Sequence, residues 1–84
     1  MEEKVGEVEH YFTNISVAAI KITEGSLHVG DTIHIVGATT DFSQPVNSME
    51  IDQASVDEVS RGDEVGIKTV QRVREGDIVY RVVE

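Results

Sequence analysis

Glycine followed directly by aspartate occurs three times in the chain, each time just before a run in which β-branched residues alternate with others. The pairs are Gly30-Asp31, Gly62-Asp63 and Gly76-Asp77. Glycine reaches the positive φ that a tight reversal needs, and an aspartate carboxylate accepts hydrogen bonds from nearby backbone N–H groups. We expect these donors to lie just beyond each aspartate. Because the pairs are unequally spaced, they indicate a reused turn and not a repeat protein.

The apolar runs between the turns have the period of strands. β-branched residues dominate the apolar set, and no window of a dozen residues shows a clean repeat of 3.6 positions. A chain of 84 residues has the length of one domain, and we predict a single domain over 1–84 with residues 1–4 as a loose tail. A sheet that closes on itself has no exposed edge strands. The predicted fold is all-β, a small closed antiparallel β-barrel of about six strands.

The strands are predicted from alternation and from the turn residues that precede each run. Phe12-Thr13-Asn14 is predicted as the first hairpin turn because Asn tolerates positive φ, and Pro45 stands just ahead of a strand. The predicted strands are Val5–Tyr11, Ile15–Ile22, Thr32–Val36, Val46–Ile51, Glu64–Lys68 and Ile78–Val83. The predicted core residues are Val8, Val29, Ile33, Ile35, Val65, Ile67 and Val79.

The charge distribution argues against a nucleic-acid-binding chain. Sixteen Asp and Glu face seven Lys and Arg, a formal net charge of −9, and no Lys or Arg occurs from Ile22 to Ser60. Such a stretch repels phosphates, so we expect no binding of tRNA or DNA by the chain on its own. The later cations alternate with carboxylates, a pattern typical of a solvated face; they are Arg61, Lys68, Arg72, Arg74 and Arg81.

Residue types that many enzymes need are missing from the sequence. The chain has no Cys and no Gly-x-Ser-x-Gly turn, and His10, His28 and His34 lack the close spacing of metal ligands. We therefore expect no catalytic residue, no metal and no cofactor. The N-terminus has neither a basic start nor an apolar segment, and no apolar run approaches membrane-spanning length. The expected location is the cytoplasm, without membrane association.

The segment from Gly37 to Gln44 is predicted as a loop between strands, and loops on a rigid barrel often carry binding groups. Its candidate partner-binding residues are Thr39, Thr40, Asp41, Phe42 and Gln44. The alternative is a plug at the barrel end, with Phe42 packed under the loop and the Thr and Asp side chains satisfying backbone groups. The same two alternatives apply to His10-Tyr11-Phe12, which is either an exposed contact surface or core.

Several blocks together resemble the second domain of translational GTPases such as elongation factor Tu, which is a small β-barrel. The strongest block is Gly25-Ser-Leu27-His-Val29-Gly30-Asp31-Thr-Ile33-His-Ile35-Val36-Gly37. Further blocks follow in the family's order: Gly6-x-Val8, Val46–Ile51, Gly62–Ile67 and Val73–Val79. More closely, His10-Tyr11-Phe12, Val17-Ala18 and Gly37–Gln44 resemble small stand-alone proteins described as translation elongation factor-like.

The resemblance implies a non-catalytic binding module that docks on a protein or a ribonucleoprotein. In the translational GTPases this domain helps hold the aminoacyl end of tRNA. The surfaces it suggests are the Thr39–Gln44 loop and the Arg61–Arg74 region with Arg72 and Arg74, and Lys21 stands where the family commonly has Arg. Family members often carry Gly and Asn where this chain has Ile20 and Glu64, which hinder close approach and repel phosphate.

Two further expectations follow from the same resemblance. No glycine is followed by Lys, so the phosphate-binding loop of a GTPase is absent and GTP is neither bound nor hydrolysed by this chain. Similar barrels are also attached to some peptidases related to collagenase, as a non-catalytic C-terminal part. The alternative function is therefore a separately encoded accessory barrel of a collagenase-like peptidase or of another enzyme.

Overall fold

The computed structural model describes residues 1–83, in which ten strands are joined by turns and no helix forms. Every ladder between neighbouring strands is antiparallel, so the predicted fold class is confirmed. In chain order the strands are β1 (Glu2–Phe12), β2 (Val17–Ile22), β3 (Ser26–His28), β4 (Thr32–Val36), β5 (Asp41–Pro45), β6 (Met49–Ile51), β7 (Ala54–Val56), β8 (Glu58–Ser60), β9 (Glu64–Lys68) and β10 (Ile78–Val82). This range accordingly offers no helix that is long and apolar enough to cross a membrane.

The sheet closes into a ring because segment 41–51 pairs with a different strand at each of its ends. Its first part, β5, pairs with β4, and its last part, β6, reaches β9 where Glu50 lies opposite Gly66. From β9 the ladder continues through β2, β1 and β10 back to β4. The barrel wall therefore has six members, as predicted. Strand β7 extends β6 on the outside, and β3 pairs with β8 in a separate ladder.

Alternation along the strands fills the barrel with apolar side chains. On β2, for example, Ala18, Ile20 and Ile22 are completely buried while the residues between them are partly exposed. Six of the seven predicted core residues are buried: Val8, Ile33, Ile35, Val65, Ile67 and Val79. Val29 is the error, at 40% exposed, because it occupies the tip of the first Gly-Asp turn and not a strand.

The three Gly-Asp turns share one geometry. In each, the aspartate N–H donates to the carbonyl three residues earlier and the preceding glycine has φ between 90° and 101°, as in a type II turn. The aspartate Oδ2 then accepts the N–H of that same earlier residue, so the predicted donors just beyond the aspartate are wrong. The turn folds the chain back and brings the earlier N–H within reach. The bonds run from His28 to Asp31, from Ser60 to Asp63 and from Arg74 to Asp77, at 2.8, 2.9 and 2.9 Å.

Most of the expected loose tail over residues 1–4 is instead the beginning of β1, which starts at Glu2. Glu2 lies opposite Val82 and Glu3 opposite Arg81, whose Nη2 is 2.8 Å from Glu3 Oε1. Pairing with the far end of the chain orders this segment, which no local sequence signal predicts.

The expected loop from Gly37 to Gln44 is also a misassignment, since its second half is strand β5. The turn occupies only Gly37 to Thr40, where the Gly37 N–H donates to the Thr40 carbonyl at 2.7 Å. From Thr40 to Val46 every second residue is buried, which is the period of a strand with one face in the core. The strand expected over Val46–Ile51 is therefore displaced: β5 ends at Pro45, and only Met49–Ile51 forms β6.

Candidate functional site

The predicted contact residues of segment 39–44 divide between the two faces of β5. Thr40 and Phe42 point into the barrel, and Phe42 is only 8% exposed. This placement matches the plug alternative for Phe42. Thr39 and Asp41 are exposed at the surface.

Gln44 is buried and connects two elements of the barrel wall. Its Nε2 donates to the Lys68 carbonyl at 2.9 Å, and its Oε1 accepts the Val70 N–H at 2.8 Å. A carboxamide carries the same donor and acceptor as a backbone peptide group. Gln44 therefore supplies a link between β5 and the end of β9 at the point where segment 41–51 changes partner.

Asp41 belongs to a surface cluster centred on His34. The His34 Nε2 is 2.5 Å from Asp41 Oδ1, and the Nδ1 is 2.8 Å from Glu2 Oε2. Hydrogen bonds to the two carboxylates, that to Asp41 first, raise the pKa of His34 because the imidazolium donates to both. Among residues 1–83 no three His, Asp or Glu side chains converge on a position that could hold a metal ion.

The predicted cationic contacts occupy different parts of the surface. Arg72 and Arg74 line a shallow depression together with His10, Tyr11 and Glu75. Arg74 Nε donates to Thr39 Oγ1 at 2.9 Å, so Thr39 and these two arginines come together. Lys21 does not join them: it lies on β2, with its Nζ 3.8 Å from Glu64 Oε1.

A second surface feature is a groove on the outer face of β2 and β9, which we call the Phe12–Ile15 groove. Its floor is formed by Val17, Ala19 and Gly66, and Ala19 lies directly opposite Gly66 in the ladder. Two small residues at the centre of a sheet face leave a depression between their larger neighbours.

One wall of the groove is apolar. Phe12 is 47% exposed and Ile15 is 59% exposed, although both are large apolar side chains at the end of the first hairpin. The Phe12 ring packs edge to face on His10, with ring centroids 4.5 Å apart. Adjacent exposed apolar side chains of this size typically mark a contact surface.

The rest of the rim is acidic. Glu50 and Asp52 come from the β6–β7 hairpin and Glu64 from β9. Lys21, the neighbouring cation, is already close to Glu64. The groove therefore presents an apolar centre within negative potential.

Residues with positive φ lie in the turns beside the same groove. In the described part of the chain, the non-glycine residues with positive φ are Ser16 (57°), Asp52 (50°) and Gln53 (67°). Ser16 stands between two lining residues, Ile15 and Val17, and the other two line the groove themselves. The positive φ in the first turn thus falls on Ser16 and not on Asn14 as the sequence suggested. Asp52 and Gln53 are the two residues between β6 and β7, where a type I′ hairpin turn has positive φ at both positions.

Sequence reasoning singled out Phe12 and Glu64 but did not predict that the groove residues lie together. The available signal was the run Val17-Ala18-Ala19-Ile20, which is apolar on both faces of β2. An antiparallel strand with a solvated outer face normally alternates apolar and polar residues. Val17 and Ala19 on the outer face depart from this alternation, and they mark the position of the groove.

Comparison with known proteins finds relatives that are described as a protease and as collagenases. It is 39% identical over 82 residues to an uncharacterized protease of Methanocaldococcus jannaschii, covering 96% of this chain and 20% of that protein. It is 35% identical over 78 residues to a collagenase of Porphyromonas gingivalis, covering 92% of this chain and 22% of the collagenase. The chain thus spans about a fifth of the length of these relatives.

The fold recurs in solved structures of one peptidase domain. Two crystal structures of the C-terminal domain of a Geobacillus thermoleovorans protein described as a U32 peptidase superpose with TM-scores of 0.86 and 0.88. Sequence identities are 18% and 15%, and the matches cover 92% and 96% of this chain and 96% and 93% of those chains.

These relatives correct the function expected from the sequence. A translation-factor type module docking on a protein or ribonucleoprotein is contradicted, because the full-length relatives are a protease and collagenases. The fold was predicted correctly, and the relatives favour the alternative expectation, an accessory barrel of a peptidase, over the main one.

The family of the chain is shown by a match to a family model. The family model described as Elongation factor Tu domain 2 matches residues 16–80, well over half of the chain. This match confirms the resemblance read from the Gly-Asp blocks, and the chain belongs to the elongation factor Tu domain 2 family.

Proposed function

We propose that this barrel is a non-catalytic accessory domain of a collagenase-like peptidase, which it serves by binding another part of that enzyme. The observation that carries the proposal is 39% identity across 96% of this chain with a protease about five times its length. Identity that extends over nearly the whole barrel, within a much longer protein, is expected of a domain that works beside a separate catalytic part.

The geometry supports a binding role over a catalytic one. The interior is filled with apolar side chains, so chemistry would have to occur at shallow surface depressions. The exposed side chains of Phe12 and Ile15, in contrast, are suited to protein contact. Thr39, Arg72 and Arg74 are proposed as a second contact, next to His10 on the same side of the first hairpin.

A domain exchange tests the proposal. In the Porphyromonas gingivalis collagenase the matching segment of 78 residues is deleted, or replaced by this chain, and cleavage of gelatin is compared with that of the parent enzyme. We expect the deletion to impair cleavage and the replacement to restore most of it, while this chain alone cleaves nothing. A replacement that behaves like the deletion, or gelatin cleavage by the isolated chain, would contradict the accessory role.

A further inference from the structure

We infer that the Phe12–Ile15 groove binds a protein segment in which an apolar side chain is flanked by lysine or arginine. The inference rests on the proposed function only for the identity of the partner, a part of the peptidase. The chemistry of the occupant follows from the groove itself.

The floor and the apolar wall of the groove indicate that the bound segment contributes an apolar side chain. Ala19 and Gly66 leave room above the sheet, and Phe12 and Ile15 stand beside that space with about half of their surfaces in solvent. Covering them removes apolar surface from water, which is favourable by roughly 25 cal/mol per Å². A side chain such as Leu, Phe or Met fits this role.

The acidic rim of the groove indicates that the bound segment carries lysine or arginine on either side of its apolar residue. Glu50, Asp52 and Glu64 stand around the apolar centre, and the cation Lys21 already lies near Glu64. Within a Debye length of about 8–10 Å these carboxylates attract a cationic segment and repel an anionic one. A nucleic acid is disfavoured by the same charges, and so is an acidic peptide.

Selection from a random peptide library tests the inference with the isolated chain. A displayed library of random 16-residue peptides is selected on the chain and, in parallel, on a double variant carrying Phe12→Ser and Ile15→Ser. We expect enrichment, on the unaltered chain only, of peptides with an apolar residue between Lys or Arg. Enrichment of acidic peptides, equal enrichment on both proteins or no enrichment would overturn the inference.

Binding of one enriched synthetic peptide then locates the site. We expect the double variant to bind at least about tenfold more weakly, and Glu50→Lys with Asp52→Lys to weaken binding similarly. Matched controls are Val70→Ser, an exposed apolar residue elsewhere, and the double variant Glu24→Lys with Asp57→Lys, which makes the same charge change at exposed positions that do not line the groove. Equal loss in the control variants would refute the location.

Two precautions keep the outcome clear. The double variant of Phe12 and Ile15 changes the end of a hairpin, so Ala19→Gln is a second test that fills the groove from its floor. The melting temperature of each variant is measured and should be unchanged.

The domain exchange and the peptide selection test the two proposals separately. A chain that restores the collagenase with both Phe12 and Ile15 replaced would contradict the groove alone, while peptide binding without restoration would contradict the proposed function alone.

Discussion

Replacing Gln44 with methionine removes the side-chain link between β5 and the end of β9. Methionine is unbranched and of similar size, so the substitution keeps the packing and removes the hydrogen bonds. Each lost bond contributes about 0.5–1.5 kcal/mol, and a partner left unsatisfied adds to the cost. The Lys68 carbonyl and the Val70 N–H both lose their bonds to Gln44, so the free energy of unfolding should fall by about 2–3 kcal/mol.

That loss is a large part of the stability of a small domain and is easy to measure. For a domain of 60–100 residues each kcal/mol lowers the melting temperature by about 4–8 °C, so we expect a decrease of about 8–24 °C by circular dichroism. Amide hydrogen exchange gives a local reading, because the Val70 N–H should lose protection in the variant. Gln71→Met is the matched control, since Gln71 is exposed.

One result would refute the reasoning. If Gln44→Met melts within about 2 °C of the unaltered chain, well under the shift of 4–8 °C per kcal/mol, Gln44 does not stabilise the closure. If Gln44→Met and Gln71→Met lose stability equally, the effect belongs to the substitution and not to the position.

Three further predictions concern the core, the His34 cluster and nucleic acid. Phe42→Ala should lower the free energy of unfolding by roughly 3–5 kcal/mol, measured by urea denaturation, because Phe42 is buried. An unchanged denaturation midpoint would contradict the packing of Phe42 in the core. Since the pKa of His34 is raised in the folded chain, its contribution to stability is complete below the unfolded value of about 6.5 and is lost as pH rises through the folded value. The melting-temperature difference between the chain and His34→Gln should therefore be larger at about pH 6 than at about pH 9, and a difference that does not change with pH would contradict the role of the two carboxylates. The isolated chain should not bind tRNA at micromolar concentration in about 0.15 M salt, because its net charge is −9; gel-shift or fluorescence titration that shows binding would contradict this.

The sequence by itself determined the features that depend on local conformation. Period-two alternation marked Thr32–Val36 and Glu64–Lys68 as strands, and both have the predicted bounds. The glycines of the Gly-Asp turns were identified because positive φ is a property of the residue and its immediate neighbours. These signals were enough to predict an antiparallel barrel and its family.

Tertiary structure decided what depends on residues far apart in the chain. Residues 2–4 are ordered because they pair with β10 at the other end of the chain, and the Gln44 side chain links β5 to β9 because β9 passes beside it. The groove likewise forms where the first hairpin, β9 and the β6–β7 hairpin meet. Its acidic rim and apolar wall come from segments separated by more than thirty residues, so only the closed barrel brings them together.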